Sequence, residues 1–307
     1  MTDVDPAPAQ VDVARLSTEG IDARYRDLDT MPTRHVLAAM NEAEASVPAA
    51  IQPVLSDLAT LIETVAERMR AGGRLIYVGA GTSGRLGALD AAECPPTFHT
   101  DPALVQAVLA GGPGAMFEAV EGAEDDDELG AVTVGDLDLG EADTVLGITA
   151  SGRTPFVLGA IRAARTAGAF TVGLACNTGS ELARAVDHPL EVDVGPEVLA
   201  GSTRLKAGSA TKQVLNMLST GVMIRLGKTY RNLMVDLRIS NGKLRDRGER
   251  LLMEITGADR DRAAQVLTES GSRVTVAALM LRRGLDRQGA EEALEKAQGS
   301  LSQALGE

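Results

Sequence analysis

Aromatic residues are the scarcest class in this 307-residue sequence: they make up 2% of it, with four Phe, three Tyr and no Trp. Few rings are therefore available for stacking on bases or sugars. Lys and Arg are also in the minority, 30 against 43 Asp and Glu, which gives a net charge of −13. Because Lys and Arg drive binding to nucleic-acid phosphates, we expect no nucleic-acid partner.

Cysteines and long apolar runs are scarce as well. Cys94 and Cys176 are too few and too far apart in sequence for a disulfide framework or a zinc site. No stretch reaches the roughly 18 uncharged apolar residues that a membrane helix needs, and residues 1–10 lack the apolar run of a signal peptide. The sequence therefore predicts a cytoplasmic protein without a membrane partner.

Hydrophobic residues and glycine, in contrast, are plentiful, at 44% of the chain and 33 residues respectively. A chain of this composition can bury a real core, which argues against global disorder. Its length suits one large α/β domain or two smaller ones of roughly 100–200 residues each.

The middle of the chain repeats a pattern of a short apolar run, a glycine-bearing loop and a helix. The runs lack polar alternation, as expected of strands that are buried on both faces of a parallel sheet. They cover residues 74–79, 104–110, 144–149, 170–175 and 189–194. This order predicts an α/β fold, a three-layer αβα sandwich around a mainly parallel five-stranded sheet, with a small C-terminal helical bundle.

Composition shifts divide the chain into three predicted parts. Residues 1–34 form a polar N-terminal arm, and residues 35–240 form the α/β domain. Residues 241–307 are charged and strand-free, so we expect a separate helical module. Apolar spacing also predicts two amphipathic helices between residues 33 and 69, and one long helix over residues 206–226.

The first candidate binding loop is the string GAGTSG at residues 79–84, which follows a predicted strand and opens a helix. It fits the dinucleotide fingerprint G-x-G-x-x-G, but the second strand ends in glycines without the acid that binds a ribose. The remaining options are an anion held by the amides and hydroxyls of Gly81, Thr82, Ser83 and Gly84, or a tight turn with Ser83 as a plain helix cap.

A second loop of the same kind favours binding. Ser151, Gly152, Arg153 and Thr154 follow the strand at residues 144–149, and Pro155 suits the first turn of a helix. Two such loops at the carboxyl ends of parallel strands lie where open α/β sheets bind ligands. Neither loop has the Gly-Lys-Ser/Thr ending of a nucleoside-triphosphatase, so we predict that a phosphomonoester binds there.

Acidic residues follow the first loop at two places along the chain. Glu93 precedes Pro95 and Pro96 on the helix after the first loop, and six acids lie between residues 121 and 128. A lone Glu or an acidic run is by default a solvated surface. Composition does not select a catalytic carboxylate among them.

Longer strings select a family. The sequence resembles the N-acetylmuramic acid 6-phosphate etherases from about Leu16 to the C-terminus. These enzymes belong to the sugar-isomerase (SIS) superfamily, which also contains the glucokinase regulatory proteins. The strings that carry the resemblance are GAGTSGRLG (79–87), DAAECPPT (90–97), AVEGAED (119–125), SGRTP (151–155), GPEVLAGSTRLKAGSATK (195–212), NMLST (216–220) and MVDLRISNGKL (234–244).

The resemblance implies a function and a set of residues. The family cleaves the D-lactyl ether of N-acetylmuramic acid 6-phosphate with water, by elimination and then hydration, in recycling of cell-wall sugar. It uses no metal or organic cofactor and forms homodimers. By resemblance, Glu93 matches the family's proton donor and Glu124 its second catalytic carboxylate, residues 35–240 form an SIS-type phosphosugar-binding domain, and residues 241–307 resemble a ubiquitin-associated three-helix fold.

Two departures and two alternatives stay open. The family's Thr-Glu-x-Arg-Asn motif appears as LSTEGID at residues 16–22, without the Arg and Asn, which leaves the role of the arm undecided. His99 stands where a glycine is usual. An SIS aldose–ketose isomerase would use the same phosphate loops and a Glu base. A non-catalytic phosphosugar sensor would keep Ser83 and Ser151 without needing Glu93 or Glu124.

Overall fold

The structure is a computed structural model that describes residues 16–118, 120–237, 239 and 241–307. The first 15 residues of the predicted N-terminal arm lie outside the described residues. The strands are β1 Leu75–Gly79, β2 Val105–Leu109, β3 Thr144–Thr149, β4 Phe170–Ala175 and β5 His188–Glu191. The α-helices are α1 Thr33–Glu44, α2 Val47–Ile51, α3 Leu55–Arg70, α4 Gly81–Phe98, α5 Asp127–Gly135, α6 Pro155–Thr166, α7 Glu181–Ala185, α8 Lys206–Arg225, α9 Gly242–Thr256, α10 Arg260–Glu269, α11 Val274–Arg283, α12 Arg287–Lys296 and α13 Leu301–Leu305.

The five strands form one parallel sheet in the order β2-β1-β3-β4-β5. This confirms the predicted fold class, and β1 to β4 lie within a residue of their predicted bounds. The last strand is shorter than predicted and begins one residue earlier, at His188. Beyond Glu191 the Val192 N–H still donates to the Ala175 carbonyl oxygen of β4 (2.8 Å), and Val192 and Val194 pack in the core, so the apolar run continues past the end of the regular strand.

Alternate residues of the central strands belong to cores on opposite faces of the sheet. Leu75 and Tyr77 of β1 pack with α3, α4 and α8, whereas Ile76 and Val78 pack with α6 on the other side. Because successive strand residues point to opposite faces, an uninterrupted apolar run is what a sheet covered by helices on both sides requires. The fold is therefore the predicted three-layer sandwich.

The N-terminal helical segment is more broken than the sequence suggested. Two helices were expected between residues 33 and 69, but α1, α2, a 3₁₀ turn at Gln52–Val54 and α3 share this region. Pro48 and Pro53 stand at the start of α2 and of the 3₁₀ turn, where the missing proline N–H costs no helical hydrogen bond.

Thr33–Arg70 is also the one helical segment among the described residues that is long and apolar enough, by length and composition, to cross a membrane. An 18-residue stretch within it has a mean hydropathy of 1.3, and 28% of that stretch is buried. Leu58, Leu61 and Val65 of this segment lie in the core of the α/β domain.

Helix α4 continues through the two prolines that were expected to end it. Pro95 and Pro96 lie within its last turn, and the helix ends at His99, whose φ is +53°. Glycine adopts this left-handed conformation at the lowest cost, which gives a physical reason for the family's glycine at this position.

The C-terminal part contains the five helices α9 to α13, which share a core of their own. Gly257 and Gly284 follow α9 and α11 in the left-handed conformation, which ends each helix. Tyr230, Val235 and Leu237 also pack in this core. The boundary at residue 241 and the likeness to a ubiquitin-associated fold stay predictions.

A buried carboxylate, Asp90, joins α4 to β1 and α8 by hydrogen bonds. Asp90 of α4 is 5% exposed and accepts hydrogen bonds from Tyr77 Oη of β1 (2.8 Å), Asn216 Nδ2 of α8 (2.6 Å) and Ser219 Oγ of α8 (3.1 Å). Burial raises the pKa of Asp90 above its ordinary value, although the three hydrogen bonds act in the opposite direction. Burial also raises the pKa of Tyr77 well above its usual range, so its hydroxyl keeps its proton and donates.

We expect Asp90→Ala to lower the free energy of unfolding by about 2–4 kcal/mol, because three donors lose their acceptor in a buried place. Tyr77→Phe removes one donor and should cost only about 1 kcal/mol. Urea unfolding of both variants measures the two losses. A loss in Asp90→Ala no larger than in Tyr77→Phe would contradict this role for the carboxylate.

Candidate active site

The candidate site is a cavity of about 320 Å³ at the carboxyl ends of β1 and β3. These strands are neighbours at the centre of the sheet, and the chain crosses from β1 to β2 on one side and continues to β3 on the other. Open α/β sheets bind ligands at such a switch in strand order. The described residues that line the cavity come from five segments: Glu19; Ala80–Ser83; Glu124 and Asp125; Thr149–Ser151 with Arg153–Pro155; and Thr203 with Ala207, Gly208 and Thr211.

The first wall is the N-terminus of α4. Gly81, Thr82 and Ser83 line the cavity, and the residue at the N-cap, Ala80, makes no side-chain hydrogen bond to the helix. Ser83 stands inside the first turn, so it is not the N-cap that the alternative required. The amides of the first helical turn and two hydroxyls therefore face the cavity, an arrangement that suits an anion.

Two glycines of this loop, Gly79 and Gly84, allow the backbone of α4 to pack closely on the strands. A Cβ on Gly79 would lie 2.7 Å from the amide nitrogen of Gly84. A Cβ on Gly84 would lie 2.3 Å from Leu109 Cδ1 and 2.5 Å from the carbonyl oxygen of Gly79. Gly84 was predicted to bind phosphate, but it is buried and does not line the cavity. It allows the start of α4 to lie directly on the ends of β1 and β2.

The second wall is the loop between β3 and α6. Thr149 Oγ1 lies 2.7 Å from Thr154 Oγ1 and 3.3 Å from Ser151 Oγ, so the three hydroxyls form a linked set beside the cavity. Arg153 and Thr154 also line it. Gly152 does not: its φ is +73°, and a Cβ there would lie 2.2 Å from Ser180 Cβ.

The third wall is the start of α8. None of the site residues predicted from the sequence belongs to this helix. Thr203, Ala207, Gly208 and Thr211 line the cavity. The first amides of this helix are already occupied, because Glu197 accepts hydrogen bonds from the N–H groups of Lys206 and Ala207 at 3.0 Å each. Three helices begin at the cavity, and α6 starts with Pro155, which has no N–H, followed by Phe156, whose N–H donates to the Glu124 carbonyl oxygen (3.0 Å). Among the described residues, the start of α4 carries no capping carboxylate, so α4 is the favoured candidate for an anion position.

The two lysines of this helix do not line the cavity. Lys206 is buried and donates from Nζ to the carbonyl oxygen of Val194 at 2.6 Å, and Lys212 is exposed. Among the described residues that line the cavity, Arg153 is the only Lys or Arg. Hydroxyls and amides therefore supply most of the polar groups.

The structure brings one of the two predicted catalytic carboxylates to the cavity. Glu124 lines it, next to Asp125, and its backbone carbonyl accepts a hydrogen bond from the Phe156 N–H at the start of α6 (3.0 Å). Glu93 is exposed and is not among the lining residues. It stands twelve residues after Gly81 on α4, which corresponds to about 18 Å along the helix axis.

Comparison with known proteins identifies the family. The chain is 51% identical over 296 residues to the N-acetylmuramic acid 6-phosphate etherase of Streptomyces avermitilis, covering 96% of this chain and 95% of the relative. It is 54% identical to the etherase of Rubrobacter xylanophilus, covering 96% and 97%. The chain belongs to the N-acetylmuramic acid 6-phosphate etherase family. A model of the N-terminal SIS domain of glucokinase regulatory protein also matches residues 57–165.

The resemblance seen in the sequence is thereby confirmed at the level of the family. The matched range of the SIS model contains both hydroxyl loops, Glu93 and Glu124. It does not reach Glu19 or the start of α8, which contribute the remaining walls of the cavity. The string at residues 195–212 was a sequence signal for the α8 wall, whereas Glu19 had only the incomplete LSTEGID motif.

We expect Ser83→Ala to weaken binding of a sugar phosphate by about 10-fold, because one hydroxyl hydrogen bond to a charged group is lost. Ser302→Ala, on the distant helix α13, is the matched control and should bind like the unmodified protein. Isothermal titration with N-acetylglucosamine 6-phosphate measures both affinities. Equal affinities in the two variants would remove Ser83 from the anion site.

Proposed function

We propose that the protein cleaves the D-lactyl ether of N-acetylmuramic acid 6-phosphate with water and releases N-acetylglucosamine 6-phosphate and D-lactate. The observation that carries the proposal is a cavity with two hydroxyl-bearing loops and Glu124, in a chain that shares about half of its residues with proteins of that activity. The reaction needs a position for the phosphate and a carboxylate beside the sugar. The two hydroxyl-bearing loops would supply the first, and Glu124 the second.

The phosphate would bind at the N-terminus of α4, where the amides of the first turn and the hydroxyls of Thr82 and Ser83 face the cavity. Ser151, Arg153 and Thr154 complete this position from the neighbouring strand. The sugar then extends toward Glu124 and the start of α8. Fixing the phosphate places C2 and C3 of the opened sugar at a set distance from the carboxylate.

The reaction proceeds in two stages, an elimination and a hydration, and the proton removed from C2 in the first stage is replaced in the second. In the opened sugar, the aldehyde at C1 acidifies the proton on C2, and a carboxylate removes it. The C3–O bond breaks while a carboxylic acid protonates the departing ether oxygen, so D-lactate leaves and a C2=C3 double bond remains. Water then adds across that bond, with its hydroxyl on C3 and a proton returned to C2. Two positioned carboxyl groups can serve both stages.

Glu124 supplies one of the two carboxyl groups from the same chain. For Glu93 to supply the other, a second copy of the chain must deliver it, because in its own chain it lies about 18 Å along α4 from the start of the helix. We therefore infer a homodimer whose site combines the cavity of one subunit with Glu93 of the other.

Exposed apolar residues beside Glu93 support this inference. Leu89 stands one helical turn before Glu93 on α4 and is 45% exposed, and Met217 on the adjacent α8 is 40% exposed. Residues four apart on a helix share a face, so Leu89 and Glu93 point to the same surface. A contact between copies at this surface would bury the apolar side chains and bring Glu93 against the partner.

Glu124→Gln should release D-lactate at least about 100-fold more slowly than the unmodified protein and still bind N-acetylglucosamine 6-phosphate, because the amide keeps the shape but neither accepts nor returns a proton. Glu121→Gln is the matched control: it is an exposed Glu on the same segment that does not line the cavity. The assay measures D-lactate released from N-acetylmuramic acid 6-phosphate.

Three outcomes are informative. Wild-type protein that binds the sugar phosphate but releases no lactate would be a phosphosugar sensor, and the etherase proposal would fail. Isomerisation of an aldose phosphate that carries a hydroxyl on C2, with no lactate released from N-acetylmuramic acid 6-phosphate, would indicate an isomerase. Full activity in Glu124→Gln would leave the proposed function standing but remove Glu124 from the mechanism.

Co-expression of Glu93→Gln with Glu124→Gln tests the shared site. Each variant alone should be nearly inactive. If Glu93 acts on the partner's cavity, the mixed dimer contains one complete site, and random mixing restores about one quarter of the wild-type rate. No recovery in a mixture that sedimentation shows to be dimeric would place both carboxylates on one chain.

A further inference from the structure

Glu19 is a carboxylate in the cavity that neither the family comparison nor the proposed reaction uses. It ends the 3₁₀ turn Ser17–Glu19 of the N-terminal arm and lines the cavity together with Glu124. A Cβ on Gly201 would lie 3.5 Å from Glu19 Oε2, so the carboxylate lies against the turn that precedes α8. Thr203, two residues after Gly201, lines the same cavity.

The turn that carries Glu19 is held by a buried polar contact. Thr18 is fully buried and Asn177, after β4, is 2% exposed. Asn177 Nδ2 donates to Thr18 Oγ1 at 2.9 Å, and the Thr18 N–H donates to Asn177 Oδ1 at 3.3 Å. Ser17 Oγ donates to Asp193 Oδ1 at 2.6 Å. The turn is thus attached at Ser17 and Thr18 to the segments that follow β4 and β5.

The same asparagine also holds the second anion loop. Asn177 Nδ2 donates to the carbonyl oxygen of Ala150 at 2.8 Å, and Ala150 itself lines the cavity just before Ser151. One buried amide therefore fixes the position of Glu19 relative to the hydroxyls of that loop. A residue held in this way has a defined place with respect to a bound ligand.

The charge of Glu19 restricts what it can contact. A carboxylate close to a phosphate is unfavourable, since like charges repel in a partly enclosed site. Its favourable partners are neutral donors, and carboxylates accept hydrogen bonds from hydroxyl and amide N–H groups. An amino-sugar phosphate presents both kinds of donor at a distance from its phosphate.

We propose that Glu19 is a specificity-determining residue whose carboxylate accepts hydrogen bonds from the hydroxyl or acetamido N–H groups of the bound sugar, while the loops at α4 and α6 hold the phosphate. The inference rests on the proposed function in one respect, that the ligand is an amino-sugar phosphate. Glu19 selects ligands that carry sugar donors over phosphate alone.

The test compares two ligands and separates KM from kcat. In Glu19→Ala, the affinity for N-acetylglucosamine 6-phosphate should fall about 10-fold or more, because a charged acceptor is lost. The affinity for inorganic phosphate should stay within about 2-fold, since the anion loops are intact. KM for N-acetylmuramic acid 6-phosphate should rise by a similar factor, with kcat within about 3-fold. Glu19→Gln, which keeps a weaker acceptor, should show a smaller loss of the same kind.

Two controls separate recognition from folding. Glu295→Gln removes an exposed Glu from α12, far along the chain from the cavity, and should leave both affinities unchanged. Asn177→Ala releases the arm and should also weaken N-acetylglucosamine 6-phosphate more than inorganic phosphate. Thermal unfolding of each variant reports any general destabilisation.

Several results would overturn the inference. Unchanged affinity for the sugar phosphate in Glu19→Ala would show that the carboxylate makes no contact with the sugar. Equal loss of both ligands would show a structural role, and a collapse of kcat at constant KM would make Glu19 part of the chemistry instead. Absence of lactate release by the wild-type protein would refute the proposed function alone, because the two-ligand binding comparison can still be made.

Discussion

The carboxylate of Asp90 is the interaction on which the arrangement of the site depends. It accepts hydrogen bonds from β1 and twice from α8, and it lies on α4, whose first turn faces the cavity and whose later part carries Glu93. A buried carboxylate is retained only where donors compensate for its lost hydration. The three donors therefore fix the rotation of α4, and with it the direction in which Glu93 points.

The protein carries a net charge of −13, which repels an anionic sugar phosphate. Groups at the cavity must therefore attract the phosphate more strongly than the rest of the protein repels it. Amides at the start of α4 and hydroxyls on two loops are the groups available to attract an anion, and a single Arg lies among the described lining residues. These groups act at hydrogen-bond distance, where they outweigh distant charges that solvent screens. Glu197 already occupies the first amides of α8, so the N-termini of α8 and α4 differ in how well they can attract an anion.

The sequence predicted the strands, both loops and the sheet class because each depends on local pattern. An apolar run without alternation indicates a central parallel strand, and a glycine- and hydroxyl-bearing segment after it indicates a turn into a helix. The roles of Gly84 and Gly152 could not be separated from those of Ser83 and Ser151 in this way. Whether a glycine approaches a ligand or a neighbouring strand depends on packing, and here Leu109 and Ser180 occupy the space that a Cβ would need.

The sequence pattern does not assign roles to the carboxylates, because these roles depend on contacts between residues that are distant in sequence. Pro95 and Pro96 indicated a helix end, yet α4 passes through them to Phe98; Glu93, twelve residues after Gly81, is exposed and does not line the cavity of its own chain. In the proposed dimer Glu93 lies on a surface shared by two chains, and no periodicity in one chain encodes such a surface. The acidic segment at residues 121–128 offered six candidates, and the position of Glu124 became distinct only through its backbone contact with Phe156 at the start of α6.

The incomplete motif of the arm now has a physical explanation. Of the family's Thr-Glu-x-Arg-Asn pattern, this chain keeps Thr18 and Glu19 and lacks the Arg and Asn at positions 21 and 22. The retained residues are the ones that fix the turn to Asn177 and face the cavity. Ile21 is 76% exposed, and Asp22 bonds to nearby Arg24 instead. The loss therefore falls outside the cavity, and the retained Glu19 is a residue of the arm that lines it.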